Sequence, residues 1–149
     1  MFIANTTVIS NFASLGRLDL LQSLLGRLYI STDVFAEVQD GYVEGLLFYR
    51  GIERHVYPYT ENGWLHLVSL QSDQELRLLH ELPSGLHRGE ASSLVIAHIK
   101  NWVFLTDDAK ARKTAQEYGV TISGTLGLLG QAVQVSLLTL SEADALLKQ

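Results

Sequence analysis

Five positions with acid-type side chains fall where an apolar, strand-like run ends or a helix-like run begins. They are Asn5 in IANTTVI, Glu37 in DVFAEV, Glu90 in HRGEASSLVIA, and Asp107 with Asp108 in VFLTDD. Carboxylates within about 4–6 Å of one another raise each other's pKa and repel unless a cation lies between them. Their hard oxygen donors suit Mg2+ or Mn2+, whereas the lack of cysteine and of a histidine pair at ligand spacing argues against structural zinc. Magnesium keeps several waters and takes only one or two carboxylates directly, leaving other acids to orient water or bind a second ion. Such a set suits in-line attack of water on a phosphodiester.

Taken singly, each acid has a plainer explanation. Glu37 and Glu90 lie near predicted helix starts, where the macrodipole favours a carboxylate by about 0.3–1 kcal/mol. Asp108 reads as the N-cap of the helix that follows it, with Asp107 as a solvated neighbour. The metal reading rests on the set, with each acid bordered by apolar sequence at adjacent edges of one predicted sheet.

The elements that must position these acids follow from pattern. Residues 2–9, FIANTTVI, are predicted as a first strand buried on both faces. A helix capped by Ser14 carries Leu15, Leu18, Leu21, Leu24 and Leu25 to a stop at Gly26. Residues 28–30 read as a second strand, and Asp33 as the N-cap of the helix that bears Glu37. The stretch punctuated by Gly41, Gly45 and Gly51 is helical only in part. Residues 64–70 alternate as a half-exposed strand, and Ser72 with Glu75 forms a capping box for a helix through Leu82. After the Pro83-Ser84-Gly85 break, a helix over residues 88–101 carries Glu90. A strand over 103–106 delivers Asp107 and Asp108, a helix over 109–118 stops at Gly119, and a strand over 120–123 follows. An apolar helix over 124–138 and a last short one capped by Ser141 with Asp144 complete the chain. This alternation predicts a single α/β domain over residues 1–149, with a mostly parallel sheet between helices. Ligands gather beyond the carboxyl ends of such strands, so Asn5, Asp107 and Asp108 are expected to converge.

Composition sets the outer bounds. The 149 residues, 47% of them hydrophobic, are enough for one domain with a real core. With 11 basic and 16 acidic residues the net charge is −5, so nucleic-acid binding would rely on local patches. Lys110, Arg112 and Lys113 form one such patch, and Arg50, Arg54 and His55 another; solvated helix faces account for either alone. No apolar run reaches the roughly 20 residues of a membrane span. With no basic region ahead of an apolar segment at the N-terminus and no cysteine, no signal peptide and a cytoplasmic location are expected. His87 reaches a bound phosphate only if its loop folds over the acids, and an isolated histidine is more often a surface residue. Trp64 and Trp102 are expected as core or interface anchors rather than base-stacking platforms.

In this order and spacing, IANTTVISNFASLGRLDLL, ISTDVFAEV, RGEASSLVIA, LTDDAKARKTAQEYGV and GTLGLL resemble PIN-domain proteins over nearly the whole chain. The likeness is to VapC-type toxins, and to a PIN branch marked by a Gly-Glu-Ala helix start and a Gly-Thr-Leu-Gly segment. It implies a three-layer PIN-like sandwich and a metal-dependent ribonuclease acting on RNA at an acidic Mg2+ or Mn2+ site. It implies Glu37, Glu90, Asp108 and Asn5 as the catalytic positions, with Glu90, Asp108, Asp107 and Asn5 at the metal. Thr6 matches the hydroxyl residue beside the first acid, and Thr125 falls in the Gly-Thr segment. Both are expected at water or phosphate, with Lys110 and Arg112 along the RNA backbone. A homodimer and an antitoxin that inserts peptide near the acidic groove are further implications. Residues 15–25 and 43–52, with Phe48 and Tyr49, are the candidate apolar surfaces for them.

The departure from the family pattern is Asn5, where that pattern has an aspartate. An amide keeps the shape and one oxygen acceptor but loses the charge. At a Mg2+ site that loss should cost at least the roughly 10–100-fold of a lost outer partner. The chain is then a weakened or inactive member, an engineered one, or one in which Glu37, Glu90 and Asp108 suffice. A catalytically inactive binding module for a protein or RNA partner is therefore the alternative reading. A receiver-like or nucleotide-binding fold fits less well, because the Asp pair comes late and no glycine-rich phosphate loop occurs.

Overall fold

The computed structural model describes residues 1–149 and is built on β1 (Phe2–Ala4), β2 (Leu28–Ser31), β3 (Val56–Tyr57), β4 (Leu65–Val68), β5 (Val103–Leu105) and β6 (Ile122–Ser123). All pairings are parallel, and the six strands lie in the order β3-β4-β2-β1-β5-β6. The helices are α1 (Thr6–Ser14), α2 (Leu18–Leu25), α3 (Thr32–Val43), α4 (Asp73–Glu81), α5 (Arg88–Lys100), α6 (Ala109–Glu117), α7 (Thr125–Gln134) and α8 (Leu140–Leu147). Two 3-10 turns, Leu47–Tyr49 and Ile52–His55, bridge α3 to β3. No helix is long and apolar enough to cross a membrane.

Alternating strand residues feed two cores, which makes three layers of helix, sheet and helix. Ala4, Leu28, Ile30, Leu65 and Leu105 face the larger core, with Val8, Ile9 and Phe12 of α1, Leu20 and Leu21 of α2, Val34 and Val38 of α3, and Leu128 and Leu129 of α7. Ile3 and Phe104 face a smaller core with Leu94, Ile96 and Ala97 of α5 and Ala111 and Ala115 of α6. The all-parallel sheet and its helical layers agree with the predicted α/β sandwich.

Several boundaries differ from expectation, each for a local reason. The FIANTTVI run is not one strand: β1 ends at Ala4, and Asn5 caps α1 by accepting a hydrogen bond from Thr7 N at 3.2 Å. Val8, Ile9, Phe12 and Ala13 are buried at helical spacing, and a buried helix and a buried strand cannot be separated by apolarity alone. The Leu15–Leu25 stripe is also divided. Gly16, at φ 68°, turns the chain between α1 and α2, so Ser14 closes one helix rather than opening the next. Ser31, not Asp33, caps α3 through Val34 N at 3.1 Å, and Asp33 instead pairs with Arg88 at 3.2 Å. The last capping box is Thr139 with Glu142 rather than Ser141 with Asp144. The Ser72–Glu75 box on α4 forms as predicted.

Candidate active site

From β1 the chain winds outward to β2 on one side, and after β4 it crosses to β5 on the other. The winding therefore reverses between β1 and β5, the place where open α/β sheets hold ligands beyond their strand ends. Ala4 pairs with Leu105, which sets Asn5 beside Thr106, Asp107 and Asp108.

Asn5 is fully buried. Its Oδ1 accepts from Thr7 N and, at 2.7 Å, from Thr7 Oγ1, while Nδ2 donates to Thr106 Oγ1 at 2.7 Å. Only the oxygen can cap α1, and that requirement fixes which end of the amide faces Thr106. Thr106 Oγ1 also accepts from Asp108 N (3.1 Å), and Thr7 Oγ1 from Asp107 N (2.9 Å). Asn5 thus ties the end of β1 to the turn that displays both aspartates.

Those two aspartates leave β5 in opposite directions, as successive residues of an extended chain must. Asp108 caps α6, accepting from Ala111 N at 2.8 Å. Asp107 turns the other way and caps α7, accepting from Thr125 N (2.8 Å), Asn11 Nδ2 (2.7 Å) and Thr125 Oγ1.

Glu90 faces Asp108. It is buried at the first turn of α5, where Oε1 accepts from His87 N at 2.8 Å and Oε2 has no partner. Burial pushes the Glu90 carboxyl above the usual range, and the adjacent Asp108 adds to the shift. Asp108 is held low, chiefly by the Ala111 N–H and further by the Glu90 side chain. Two carboxylates cannot donate to each other. The orphaned Oε2 therefore gains a partner across the pair only by sharing a proton or a cation.

Glu37 completes the acids. Thr6 Oγ1 donates to its Oε1 at 3.0 Å, and its carboxylate lies against Gly89, where a Cβ would overlap it. Burial raises the Glu37 pKa, with Thr6 and His87 opposing the shift. His87 is the one histidine whose charge reaches Glu37, Glu90 and Asp108 together.

A divalent ion fits the Glu90–Asp108 pair by its donor chemistry, two hard carboxylates with one buried oxygen left unsatisfied. No third acid or histidine joins them closely enough to form a ready-made cage. The predicted ligand set is thereby divided. Glu90 and Asp108 come together, Asp107 is engaged with Asn11 and Thr125, and Asn5 is committed to Thr7 and Thr106. Among the residues expected at RNA, Thr6 holds Glu37 and Thr125 holds Asp107. Lys110 Nζ donates to Ser84 O at 2.9 Å, and Arg112 Nη1 to Thr106 O at 2.9 Å, so both cations also brace the backbone around the site.

Sequence reasoning passed over Thr7, Asn11 and Thr106 and gave His87 little weight. His87 precedes Glu90 by three residues, the N-cap to N3 spacing that holds both at one helix start, and this was the available signal. Thr7, Asn11 and Thr106 act through contacts about 100 residues away along the chain, which no local pattern encodes.

Comparison with known proteins agrees with this fold. A PilT N-terminus domain protein from the hyperthermophilic archaeon Sulfolobus solfataricus P2 superposes with a TM-score of 0.60 at 14% identity, over 90% of this chain and 95% of that one. PAE2754 from Pyrobaculum aerophilum superposes with a TM-score of 0.54 at 16% identity, over 92% and 97% of the two chains. At such identities the likeness is one of fold. No curated protein matches the sequence. A family model described as "DUF3368: PIN domain" matches residues 1–149, and the chain belongs to the PIN-domain family, whose members are typically nucleases.

Proposed function

We propose that this protein is a divalent-metal-dependent endoribonuclease, and that it serves as the toxin of a toxin–antitoxin pair. The observation that carries the catalytic reading is the orphaned Glu90 Oε2, buried against Asp108 where the sheet's winding reverses. Glu90 and Asp108 would hold Mg2+ or Mn2+, which would supply Lewis-acid stabilisation of charge on the phosphodiester. Glu37, its pKa raised by burial, is suited to take a proton from the attacking water as the phosphorus–oxygen bond breaks. Thr6 fixes the Glu37 rotamer, and His87, exposed beside the acids, would be available to the phosphate. The exposed strip of Val43, Leu46, Leu47 and Phe48 supports the partner-chain part of this reading, antitoxin or second subunit.

The test is cleavage of a panel of structured RNAs with Mn2+, Mg2+ or EDTA by the protein and its Glu90→Gln and Asn5→Asp variants. Metal-dependent cleavage that Glu90→Gln abolishes is expected. The alternative, an inactive PIN-like binding module, is favoured by the full engagement of Asn5 in structural hydrogen bonds. Under that alternative Asn5→Asp gains no cleavage and the parent binds no metal.

A further inference from the structure

On the sheet face of the smaller core, Tyr29 and His66 are only half-buried and Tyr57 is exposed, so the β3 side of that face stays open. Tyr57 of β3, His66 of β4 and Tyr29 of β2 stand in one register across that opening. Tyr57 and His66 stack at 4.8 Å with planes 21° apart, His66 lies 5.8 Å from Tyr29, and Tyr29 packs on Trp102 at 4.4 Å. The first separation matches the spacing of neighbouring strands, about 4.7–4.9 Å. The Tyr57 and His66 rings therefore stand upright and stack along the sheet. Tyr57 is the last member, because β3 is the edge strand, and it remains 45% exposed.

We propose that this row is a binding platform for single-stranded nucleic acid, a nucleobase extending the stack on the open face of Tyr57. An open π-face at the end of a stack suits any base, and aromatic side chains with flanking cations are how proteins hold unpaired strands. The cations are present in a chain of net charge −5. Lys100 Nζ sits 5.5 Å over the Trp102 ring, and Arg27 lies close enough to His66 to oppose its protonation. Glu75 shares the field of Lys100, but its Oε1 is engaged by Gln71 and Ser72. Tyr57, where the base would stack, lies three strands from β1, roughly 14 Å across the sheet. It is thus separate from the acids yet within reach of the same strand. Assigning that strand as RNA rests on the ribonuclease reading above; the stacking itself does not.

The experiment measures binding of a short fluorescent oligoadenylate in EDTA, where cleavage is off, by anisotropy and by quenching of tryptophan emission. Tyr57→Ala, with an unchanged melting temperature, should weaken binding by roughly tenfold, while Tyr57→Phe binds like the parent. Arg27→Ala should lower the salt-dependence slope by about 0.7. Equal affinity of Tyr57→Ala and parent overturns the proposal, as does a Tyr57→Ala effect on self-association alone. Glu90→Gln separates the two readings. If no protein cleaves RNA yet Tyr57 still governs binding, the ribonuclease reading falls and the platform stands. If the parent cleaves and Tyr57→Ala binds normally, the platform alone falls.

Discussion

Glu90 and Asp108 form a pair whose chemistry can be altered one atom at a time. In Glu90→Gln, the amide keeps an oxygen for His87 N and gains an N–H that can donate to the Asp108 carboxylate. A hydrogen bond to a charged acceptor contributes about 1.5–3 kcal/mol, so the variant should melt several degrees higher than the parent in EDTA. It should lose the stabilisation that Mn2+ confers on the parent, and paired thermal melts with and without the metal check both effects. Asn5→Asp should behave in the opposite way. Thr7 N, Thr7 Oγ1 and Thr106 Oγ1 can all donate to a carboxylate there, so the fold accepts it. The new charge joins a turn already carrying Asp108, which should lower the melting temperature in EDTA and raise Mn2+ affinity by at least about tenfold. Calorimetric titration of Mn2+ into both proteins would settle it, and equal affinities would show that position 5 does not face the ion.

At the scale of elements, the site depends on how closely α5 approaches α3. A Cβ at Gly89 would overlap the Glu37 carboxylate and come within 2.9 Å of Val34 Cγ2, so the Glu37 side chain must swing aside while the stiff, β-branched Val34 is crowded where it stands. Gly89→Ala should therefore cost about 1–3 kcal/mol and displace Glu37 from its place. Gly130, inside α7 with open space where a methyl group would stand, is the control. There alanine should stabilise by roughly 0.5–1 kcal/mol, so urea titrations of the two variants should shift in opposite directions. Features of this reach divide what a sequence discloses. The Ser72–Glu75 box and the stops at Gly26 and Gly119 were legible because each is complete within a few residues. Apart from α1 and β3, neither of which was predicted, the order of strand and helix was legible for the same reason, and it placed Asn5, Asp107 and Asp108 at one edge. The end of β1 was not, because Val8 and Ile9 are buried in either conformation. Nor was the brace from Lys110 to Ser84, which depends on a tertiary approach across a turn. The divergence of Asp107 from Asp108 could have been anticipated, since neighbours leaving a strand face opposite ways.

For the whole molecule, the acids link folding, protons and metal. Glu90 has its folded pKa raised above the ordinary 4.5, so its stabilising proton is present below that value and lost as pH rises through the folded pKa. Glu37, raised by burial, acts with the same sign. Asp108 acts oppositely. Its contribution is present above the ordinary 3.8 and is lost as pH falls through the depressed value. Metal-free protein should thus lose stability from these acids as pH rises from the carboxylate range toward neutrality. His55 and His66, both lowered chiefly by burial, add stability as pH rises through their lowered pKa values to the ordinary 6.5, and partly mask that trend. The difference between Mn2+ and EDTA removes the mask, because neither histidine belongs to the acid cluster. An ion that replaces the shared proton should stabilise more at about pH 8 than at about pH 5, by the linkage that governs any proton-competed ligand. At a free concentration a hundredfold above its dissociation constant it should add about 2.7 kcal/mol, or roughly 5–11 °C for a chain of this size. Thermal melts across that pH range, in each solution, measure the difference directly. A Mn2+ shift that is flat with pH, or that survives in Glu90→Gln, would mean the ion binds somewhere other than between Glu90 and Asp108.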